Sequence, residues 1–286
     1  MGSLIVRRFT LAGLLFFFVF NCAFAQRERA SQFSQAAQAV LDRNFVDKKL
    51  SYLLLDGSGG VLAERWPNET TISPGSLVKP FLAIAYGEQH DGLFPTVRCL
   101  GTRSRCWLPA GHGTLGLEEA IAQSCNAYFL QLAAQLDREA AARSFAHYGL
   151  SGPTAEAGSE SLVGLGAAWK ESPLVLARAY LTLAKEEQHA TQGRIVAGMR
   201  DSASRGTARA VDAALGDEAA LAKTGTAVCS HMPKAAADGF TVVLYPAAQP
   251  RLLLLVRVHG ATGATSAAAA GAMLRTLGAG ATTDRR

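Results

Sequence analysis

The sequence lacks the features by which several classes of protein are recognised. It has no low-complexity tract and no internal repeat, so an ordinary globular chain is expected. No run of Lys or Arg is present, which argues against a nucleic-acid track. Neither a CxxC nor an HExxH motif occurs, and the six histidines are scattered. On this spacing the sequence predicts no metal site and no cofactor.

The chain is long enough to bury a sizeable core, and its balance of residues is that of a folded protein. Its 286 residues allow one large domain or two modest ones. Hydrophobic residues make up 49% and charged residues 18% of the sequence. Disorder and a fibrous architecture are therefore not expected.

The N-terminus has the pattern of a signal peptide. Arg7 and Arg8 precede an apolar stretch over residues 9–20, and residues 23–25 read Ala-Phe-Ala. This pattern predicts cleavage before Gln26, because the apolar stretch is shorter than the ~20 residues of a spanning helix. The mature chain, residues 26–286, has 26 basic and 23 acidic residues, or a net charge of +3. The expected location is the periplasm or the cell envelope.

Four cysteines remain after this cleavage: Cys99, Cys106, Cys125 and Cys229. Four cysteines allow three pairings, and the sequence does not choose among them. Cys99 and Cys106 flank a short Gly/Ser/Arg stretch and could close a hairpin in an oxidising compartment, leaving the other two unpaired.

Strand and turn patterns occur at both ends of the mature chain. After a predicted helix over residues 31–43, the apolar runs 50–56 and 61–66 flank a Gly-Ser-Gly-Gly turn. This arrangement is typical of a β-hairpin. Three more strands are predicted near the C-terminus, followed by a closing helix over residues 264–277. These strands cover residues 219–226, 239–245 and 251–259.

The middle of the chain is mostly helical in pattern. Helices are predicted from Leu77 to Tyr86, over residues 117–122 and 127–136, and over 174–185 after the N-cap pair Ser172-Pro173. The expected fold is α+β. One antiparallel sheet is built from both chain ends and flanked by helices, with an all-helical subdomain beside it. A cleft between these two parts is the natural place for a site.

Three short motifs follow one another along the chain: Ser76–Lys79, Ser124–Asn126 and Lys223–Thr226. Ser-x-x-Lys or Ser-x-Asn arises by chance about once in a chain of this length, and Lys-Thr-Gly in roughly one chain in ten. Singly, each motif could be incidental, with Ser76 a helix cap and Lys79 a solvated residue. Taken together, the three motifs occur in a particular order and context: the first opens a helix, the second lies in a helical break and the third lies on a predicted strand. This combination favours a catalytic function.

The residue types in these motifs fit acyl transfer. On a helix, residues three apart share a face, so Lys79 can take the proton of the Ser76 hydroxyl if its amine is neutral. Burial or a second cation such as Lys223 would lower the pKa of Lys79. Ser124 would relay the proton to the leaving nitrogen, and Asn126 would hold the substrate's backbone.

Lys223, Thr224, Gly225 and Thr226 form the Lys-Thr-Gly-Thr segment. The two threonine hydroxyls, together with Lys223, suit a substrate carboxylate. The backbone N–H groups of Ser76 and Thr226 would hold the oxyanion.

The three motifs resemble the signature of penicillin-binding proteins and serine β-lactamases. The surrounding residues resemble the transpeptidase domain of class B, elongation-type penicillin-binding proteins, from about Leu50 to His259. The segments that carry this resemblance are residues 73–81, 106–107, 111–113, 118–129, 165–166, 172–180, 223–227, 239–240 and 245–246.

The resemblance implies a β-lactamase/transpeptidase-like fold and a substrate that ends in D-Ala-D-Ala. Ser76, Lys79, Ser124 and Lys223 would be catalytic, and Asn126 with residues 224–226 would bind substrate. His112 also matches the pattern and is interpreted as structural. The implied partners are peptidoglycan stem peptides, β-lactams as covalent inhibitors and cell-wall proteins. Class B members usually carry a long non-catalytic domain before this one, whereas only residues 26–49 precede the first strand here.

Two other functions remain open at this stage. A β-lactamase would share the acylation step and add fast deacylation. A class A enzyme needs a glutamate for this step, and Glu156 and Glu160 lie in the right region without a matching context. A class D-like enzyme would modify Lys79, but Ser-x-Asn in place of Ser-x-Val argues against it. The third reading is a non-catalytic β-lactam sensor or envelope scaffold.

Overall fold

The computed structural model describes residues 31–66, 71–216, 218–229 and 237–283. The expected signal peptide, residues 1–25, lies outside the described residues. In the described part of the chain, no helix combines the length and the apolar character needed to cross a membrane.

A five-stranded antiparallel sheet is the centre of the fold. Its order is β2-β1-β7-β6-β5. The strands are β1 (Leu50–Asp56), β2 (Val61–Arg65), β5 (Leu221–Ala227), β6 (Asp238–Tyr245) and β7 (Leu252–His259). β1 pairs with β7 along its whole length, from Leu50 opposite Val258 to Asp56 opposite Leu252. The prediction of one sheet built from both chain ends is therefore confirmed.

Between β2 and β5 the chain forms a helical part and a small two-stranded sheet. This sheet pairs β3 (Val97–Cys99) with β4 (Gly113–Leu115). The helices are α1 (residues 31–44), α2 (Lys79–Gln89), α3 (Leu117–Ala122), α4 (Asn126–Ala133), α5 (Arg138–His147), α6 (Ser159–Leu162), α7 (Pro173–Lys185), α8 (Ala190–Ser204), α9 (Ala210–Leu215) and α10 (Gly263–Thr283). Short 3₁₀ helices cover Gly75–Val78 and Gly101–Ser104.

The sheet separates two hydrophobic layers. Along β7, Leu253 and Leu255 pack into a layer with α2 and α7, whereas Leu254 and Val256 pack into a layer with α1 and α10. This alternation follows from the two-residue period of a strand. The α2 layer continues into the helical part, so the helical subdomain and the sheet share one core.

α2 lies in the middle of this core. Every residue from Lys79 to Gly87 is buried, although the helix begins with a lysine. Pro80 falls in the first turn, where its missing N–H group is tolerated. A fully buried lysine at the start of this helix is the first structural sign of a functional site.

The predicted elements match those observed, with shifts at their ends. The Ser172 hydroxyl accepts a hydrogen bond from the Val175 N–H, which confirms the N-cap of α7. α4 ends at Ala133, three residues earlier than predicted. The segment that carries Ser76 begins as a 3₁₀ helix and becomes α-helical only at Lys79.

Candidate active site

Ser76 lies in the 3₁₀ turn between the sheet and α2, and its position is fixed by close backbone contacts. Gly75 has φ +57°, and a Cβ there would lie 2.8 Å from the carbonyl oxygen of Thr226. Only glycine combines this backbone conformation with so close an approach. The turn that presents Ser76 is therefore held directly against β5, the strand that carries the Lys-Thr-Gly-Thr segment.

Two further residues hold the same turn. The Tyr180 hydroxyl, on α7, donates a hydrogen bond of 2.6 Å to the carbonyl oxygen of Leu77. Gly164, with φ +77°, lies so close that a Cβ would be 1.9 Å from the carbonyl oxygen of Gly75. The nucleophile turn is thus enclosed by a helix, a glycine loop and a strand.

Lys79 is fully buried, and its amine points at the second motif. Nζ donates to the carbonyl oxygen of Ser124 at 2.8 Å and to Oδ1 of Asn126 at 2.6 Å, and it lies 3.4 Å from Oγ of Ser124. It also lies 5.4 Å from the centre of the Phe129 ring. Lys79 therefore connects the start of α2 to the residues that begin α4.

Ser124 occupies a strained turn between α3 and α4. Its φ is +52°, a conformation that is uncommon for residues other than glycine, and its side chain is buried. The amine of Lys223 donates to Oγ of Ser124 at 2.8 Å and to the carbonyl oxygen of Thr224 at 2.7 Å. Ser124 is thus contacted by the amines of both lysines.

The protonation of both lysines is shifted towards the neutral amine. Burial lowers the pKa of Lys79 to about 7, and the smaller electrostatic effects of Cys125 and Cys106 oppose this shift. Burial also lowers the pKa of Lys223 well below its ordinary value, and the charge on Lys79 lowers it further. A buried lysine that is partly neutral near pH 7 can accept a proton.

The two threonines of β5 differ in their surroundings. Thr224 is buried, and its hydroxyl donates to Oγ1 of Thr207 at 2.6 Å. Thr226 is exposed, and its Oγ1 accepts a hydrogen bond of 3.0 Å from the Gly263 N–H. β5 is the edge strand of the sheet. A ligand that approaches β5 would therefore meet Thr226 and not the hydroxyl of Thr224.

The structure brings the three motifs together, but one expected contact is missing. The amines of Lys79 and Lys223 converge on Ser124. Within the described part of the chain, the Ser76 hydroxyl makes no hydrogen bond to Lys79. Catalytic hydrogen bonds are often long or incomplete without a substrate, so this geometry does not remove Lys79 as the base.

The glutamates considered for a hydrolytic enzyme do not reach this cluster. Glu160 pairs with Arg105 at 2.7 Å on the surface, and Glu156 is exposed. Neither side chain adjoins the buried lysines.

The Cys99–Cys106 disulfide, one of the pairings that the sequence left open, is not formed in the structure. Cys99, Cys106 and Cys125 are free thiols in the structure. Together with His112 their ligand atoms lie within 4.8 Å of one another, beside the Ser124 turn. The expectation that no metal site exists was drawn from local spacing. Among the residues that the structure describes, two groups of side chains lie close enough together to hold a metal ion: this cluster, and Cys229 with Asp238 and His259. The four positions span 27 residues, so no short motif reveals them.

Sequence reasoning also missed residues that support the site. Thr207 accepts from Thr224 and donates to the carbonyl oxygen of Ala122, so it ties β5 to the end of α3. Lys170 donates to Oγ of Ser73 at 2.8 Å, just before the nucleophile turn. These contacts join segments far apart in sequence, and no local pattern marks them.

Comparisons with known proteins identify the family and the fold of the chain. The family model of the penicillin binding protein transpeptidase domain matches residues 63–277. No match was found among curated proteins.

Solved structures share the fold. The crystal structure of Pseudomonas aeruginosa PBP2 in complex with WCK 5153 is 19% identical, with a TM-score of 0.68 over 87% of this chain and 73% of that one. The transpeptidase domain of Burkholderia pseudomallei penicillin-binding protein 3 is 18% identical, with a TM-score of 0.69. The match covers 88% of this chain and 94% of that domain. In the complex of Helicobacter pylori PBP2 with MreC, the matching chain is 16% identical, with a TM-score of 0.71. The match covers 87% of this chain and 63% of that one. With a family model that covers most of its length, the chain belongs to the penicillin-binding protein transpeptidase domain family.

Proposed function

We propose that this protein is a serine D,D-transpeptidase or D,D-carboxypeptidase that acts on D-Ala-D-Ala peptidoglycan stem peptides. The observation that carries the proposal is the buried cluster in which the amines of Lys79 and Lys223 meet at Ser124, behind the turn that presents Ser76. Such a cluster serves no evident structural purpose, because burying two amines costs free energy that an apolar pair would not. The proposed reaction accounts for it.

In the first step, neutral Lys79 accepts the proton of the Ser76 hydroxyl. Oγ of Ser76 then attacks the carbonyl carbon of the D-Ala-D-Ala bond, and the developing oxyanion lies between the N–H groups of Ser76 and Thr226. The close contact between Gly75 and Thr226 supports this pairing of donors, since it holds the turn against the end of β5.

In the second step, the C–N bond breaks and the terminal D-Ala leaves. Its nitrogen needs a proton, which Ser124 passes on from the lysine amines that contact it. The acyl group stays on Oγ of Ser76 until an amine or water takes it. An amine acceptor gives a cross-link, and water gives a shortened peptide.

Substrate binding follows from the edge position of β5. An extended peptide can add to this edge through backbone hydrogen bonds. Its terminal carboxylate would then meet the exposed Thr226 hydroxyl beside Lys223, and the Asn126 amide would contact its backbone. β-lactams, which carry a carboxylate next to a reactive amide, would acylate Ser76 in the same way.

A β-lactamase is the second candidate, and the surroundings of Glu156 and Glu160 argue against it. Fast hydrolysis of the acyl-enzyme requires a base that activates the attacking water. Neither glutamate adjoins the cluster of Lys79, Ser124 and Lys223, so neither is placed to be that base. The third candidate is a non-catalytic β-lactam sensor or envelope scaffold that retains an intact site.

The deciding experiment is to incubate the purified mature protein with benzylpenicillin and follow its intact mass over time. We expect a long-lived adduct that maps to Ser76 and is absent in Ser76→Ala, whose thermal unfolding should be unchanged. Penicillin consumed without an adduct would identify a β-lactamase. Penicillin left untouched would contradict acyl transfer and favour the sensor or scaffold.

The protein is proposed to work in the cell envelope, where its substrate is found. The signal-peptide pattern of residues 1–25 supports export. Cell-wall proteins are proposed partners, in line with the H. pylori PBP2 that was solved with MreC.

A further inference from the structure

Three side chains that can bind a metal meet at the end of the main sheet where β5 stops. Asp238 begins β6, His259 ends β7, and Cys229 lies two residues beyond the end of β5. In the strand register, Asp238 is opposite Ala227 on one side and His259 on the other. The proposed acyl transfer uses none of these three side chains.

The three groups are close enough to share one ion. The Cys229 thiol, a ring nitrogen of His259 and a carboxylate oxygen of Asp238 lie within 4.8 Å of one another. Nδ1 of His259 is 2.7 Å from Oδ1 of Asp238. A tetrahedral zinc ion with bonds of about 2.0–2.3 Å sets its ligand atoms about 3.3–3.6 Å apart. Shifts on the order of 1 Å therefore close the group around an ion, and rotation of the Cys229 side chain can supply them.

Burial distinguishes this group from an ordinary surface contact. The exposed fraction of the side chain is 7% for His259 and 5% for Asp238, and Cys229 is half-buried. A buried pair of this kind is a weak source of stability, because the cost of desolvation offsets the attraction. It also joins β6 to β7, which already pair along the full length of β6. The thiol adds what the pair lacks, since it connects the chain beyond β5 to both strands.

We propose that Cys229, Asp238 and His259 bind one Zn²⁺ ion at this end of the sheet. Thiolate, imidazole and carboxylate are all zinc ligands, whereas Mg²⁺ and Ca²⁺ take oxygen ligands. Three protein ligands leave the fourth position open for water or for a ligand from solution. Cys229 binds as the thiolate, so its proton is released when the ion enters.

The ion would fix the end of β5 beside the nucleophile turn. Cys229 and Asp238 stand near the two ends of the β5–β6 connection, so a shared ion closes that connection. The side chain of Ala227 faces the turn, since its Cβ lies 3.3 Å from where a Cβ on Gly75 would be. Thr226, whose N–H group is a proposed oxyanion donor, directly precedes Ala227. A tie from Cys229 to β6 and β7 would therefore restrict the part of β5 that meets the substrate.

The first test is the reactivity of the Cys229 thiol in the full mature chain, stripped of metal with a chelator and then given buffered Zn²⁺. Alkylation by iodoacetamide, mapped to Cys229 by peptide digestion, should slow roughly tenfold or more, because the metal withdraws the reactive thiolate. The same concentration of Mg²⁺ should have no effect. Zinc bound by other cysteines does not alter this readout, which reports Cys229 alone. Alkylation that zinc leaves unchanged, or that slows only at millimolar zinc as adventitious binding would, overturns the assignment.

Variants of the ligands give the second test. Asp238→Asn and His259→Gln should lose the protection of Cys229 by zinc. The matched control is His189→Gln, which changes an exposed histidine at the start of α8 and should keep the protection. Cys229→Ser changes a half-buried side chain by one atom, and in equilibrium dialysis it should bind one zinc fewer per chain than the unaltered protein. Equal zinc binding in these two proteins, or protection retained in a folded His259→Gln protein, would contradict the proposal.

The effect on the active site rests on the proposed function and is measured separately. Zinc should speed acylation of Ser76 by benzylpenicillin about two- to tenfold, because a restricted β5 holds its oxyanion donor in place. In Cys229→Ser, zinc should not produce this increase. A chain whose Cys229 is protected by zinc but which never forms an adduct would refute the acyl-transfer function and leave the metal site standing. An equal response to zinc in Cys229→Ser and the unaltered protein would refute the effect of this ion on β5.

Discussion

At the scale of single residues, the protonation state of Lys79 is what the proposed reaction depends on. It is completely buried, and its pKa is lowered to about 7 because burial disfavours the charged amine. Its three polar neighbours, the carbonyl and hydroxyl of Ser124 and the amide of Asn126, leave it positioned but able to lose a proton. An ordinary surface lysine would remain charged throughout the neutral range.

The acylation rate should therefore depend on pH near neutrality. Only the neutral amine can accept the Ser76 proton, and the neutral fraction grows as pH rises through the lowered pKa. Between about pH 6 and about pH 8 the rate of benzylpenicillin acylation should rise roughly tenfold and then level off. Stopped-flow or quenched mass measurements across this range would give the profile.

Two variants serve as controls for this profile. Lys79→Arg keeps the positive charge but cannot deprotonate in this range, so it should lose acylation at every pH. Lys185→Gln removes an exposed lysine at the end of α7 and should leave the profile unchanged. A flat profile in the unaltered protein would show that Lys79 is not the base.

The sequence allowed the motif residues to be predicted but not all of their contacts. The expectation that Lys79 lies against Ser76 assumed an α-helix through both residues. The chain is instead a 3₁₀ turn up to Val78, and the lysine amine is drawn to groups 45 and 47 residues away. The cysteine cluster could not be predicted for a similar reason, since its four members meet only after β3, β4 and α4 have packed.

At the scale of elements, the junction between the nucleophile turn and β5 determines whether the two halves of the site meet. Gly75 provides this junction, with φ +57° and with Thr226 in direct contact. Gly75→Ala should lower the free energy of unfolding by about 1–3 kcal/mol, from backbone strain and from the displaced strand. The rate of acylation by benzylpenicillin should also fall, and by more than the loss of folded protein accounts for, because the N–H groups of Ser76 and Thr226 would separate. Urea unfolding and the acylation rate would be measured on the same preparation.

Gly278→Ala is the matched control for this substitution. Gly278 lies in α10 with open space around its Cβ position and without a positive φ. Alanine there should be neutral or stabilising by up to about 1 kcal/mol, as expected inside a helix. If Gly75→Ala behaved like Gly278→Ala, the close contact with Thr226 would not be needed for the site.

The elements themselves were largely predictable because their signals are local. A Gly-rich turn between two apolar runs indicates β1 and β2, and Ser172-Pro173 indicates the start of α7. The ends of the elements were less predictable. For example, α4 ends at Ala133 although the apolar pattern continues to Leu136. Apolar residues beyond the helix still pack against the core, so their pattern does not mark where the backbone hydrogen bonds end.

At the scale of the whole molecule, the sheet joins the beginning of the mature chain to its end. β1 lies beside β7, and the far face of the sheet is covered by α1 and α10. The pairing was predicted from the antiparallel strands at both ends, but the layer that α1 covers was not. A helical pattern in residues 31–43 does not reveal which surface it packs on, since that depends on where the strands have placed their apolar side chains.

Leu41 tests whether α1 belongs to the cooperative fold. Its side chain is fully buried in the layer on the far side of the sheet from α2 and Ser76. Leu41→Ala should lower the free energy of unfolding by about 2–5 kcal/mol, from lost burial and the cavity left behind. Val46→Ala, at a side chain that is 73% exposed, should change it by less than about 0.5 kcal/mol.

Acylation by benzylpenicillin at low temperature should be nearly equal in Leu41→Ala, Val46→Ala and the unaltered protein. The site lies on the other face of the sheet, so a cavity under α1 weakens the fold without moving Ser76. If Leu41→Ala lowered the free energy of unfolding by as little as Val46→Ala does, residues 31–44 would be dispensable for the stability of the domain. A loss of acylation in a folded Leu41→Ala protein would mean that the two layers are coupled through the sheet, and that β7 transmits packing from α1 to the site.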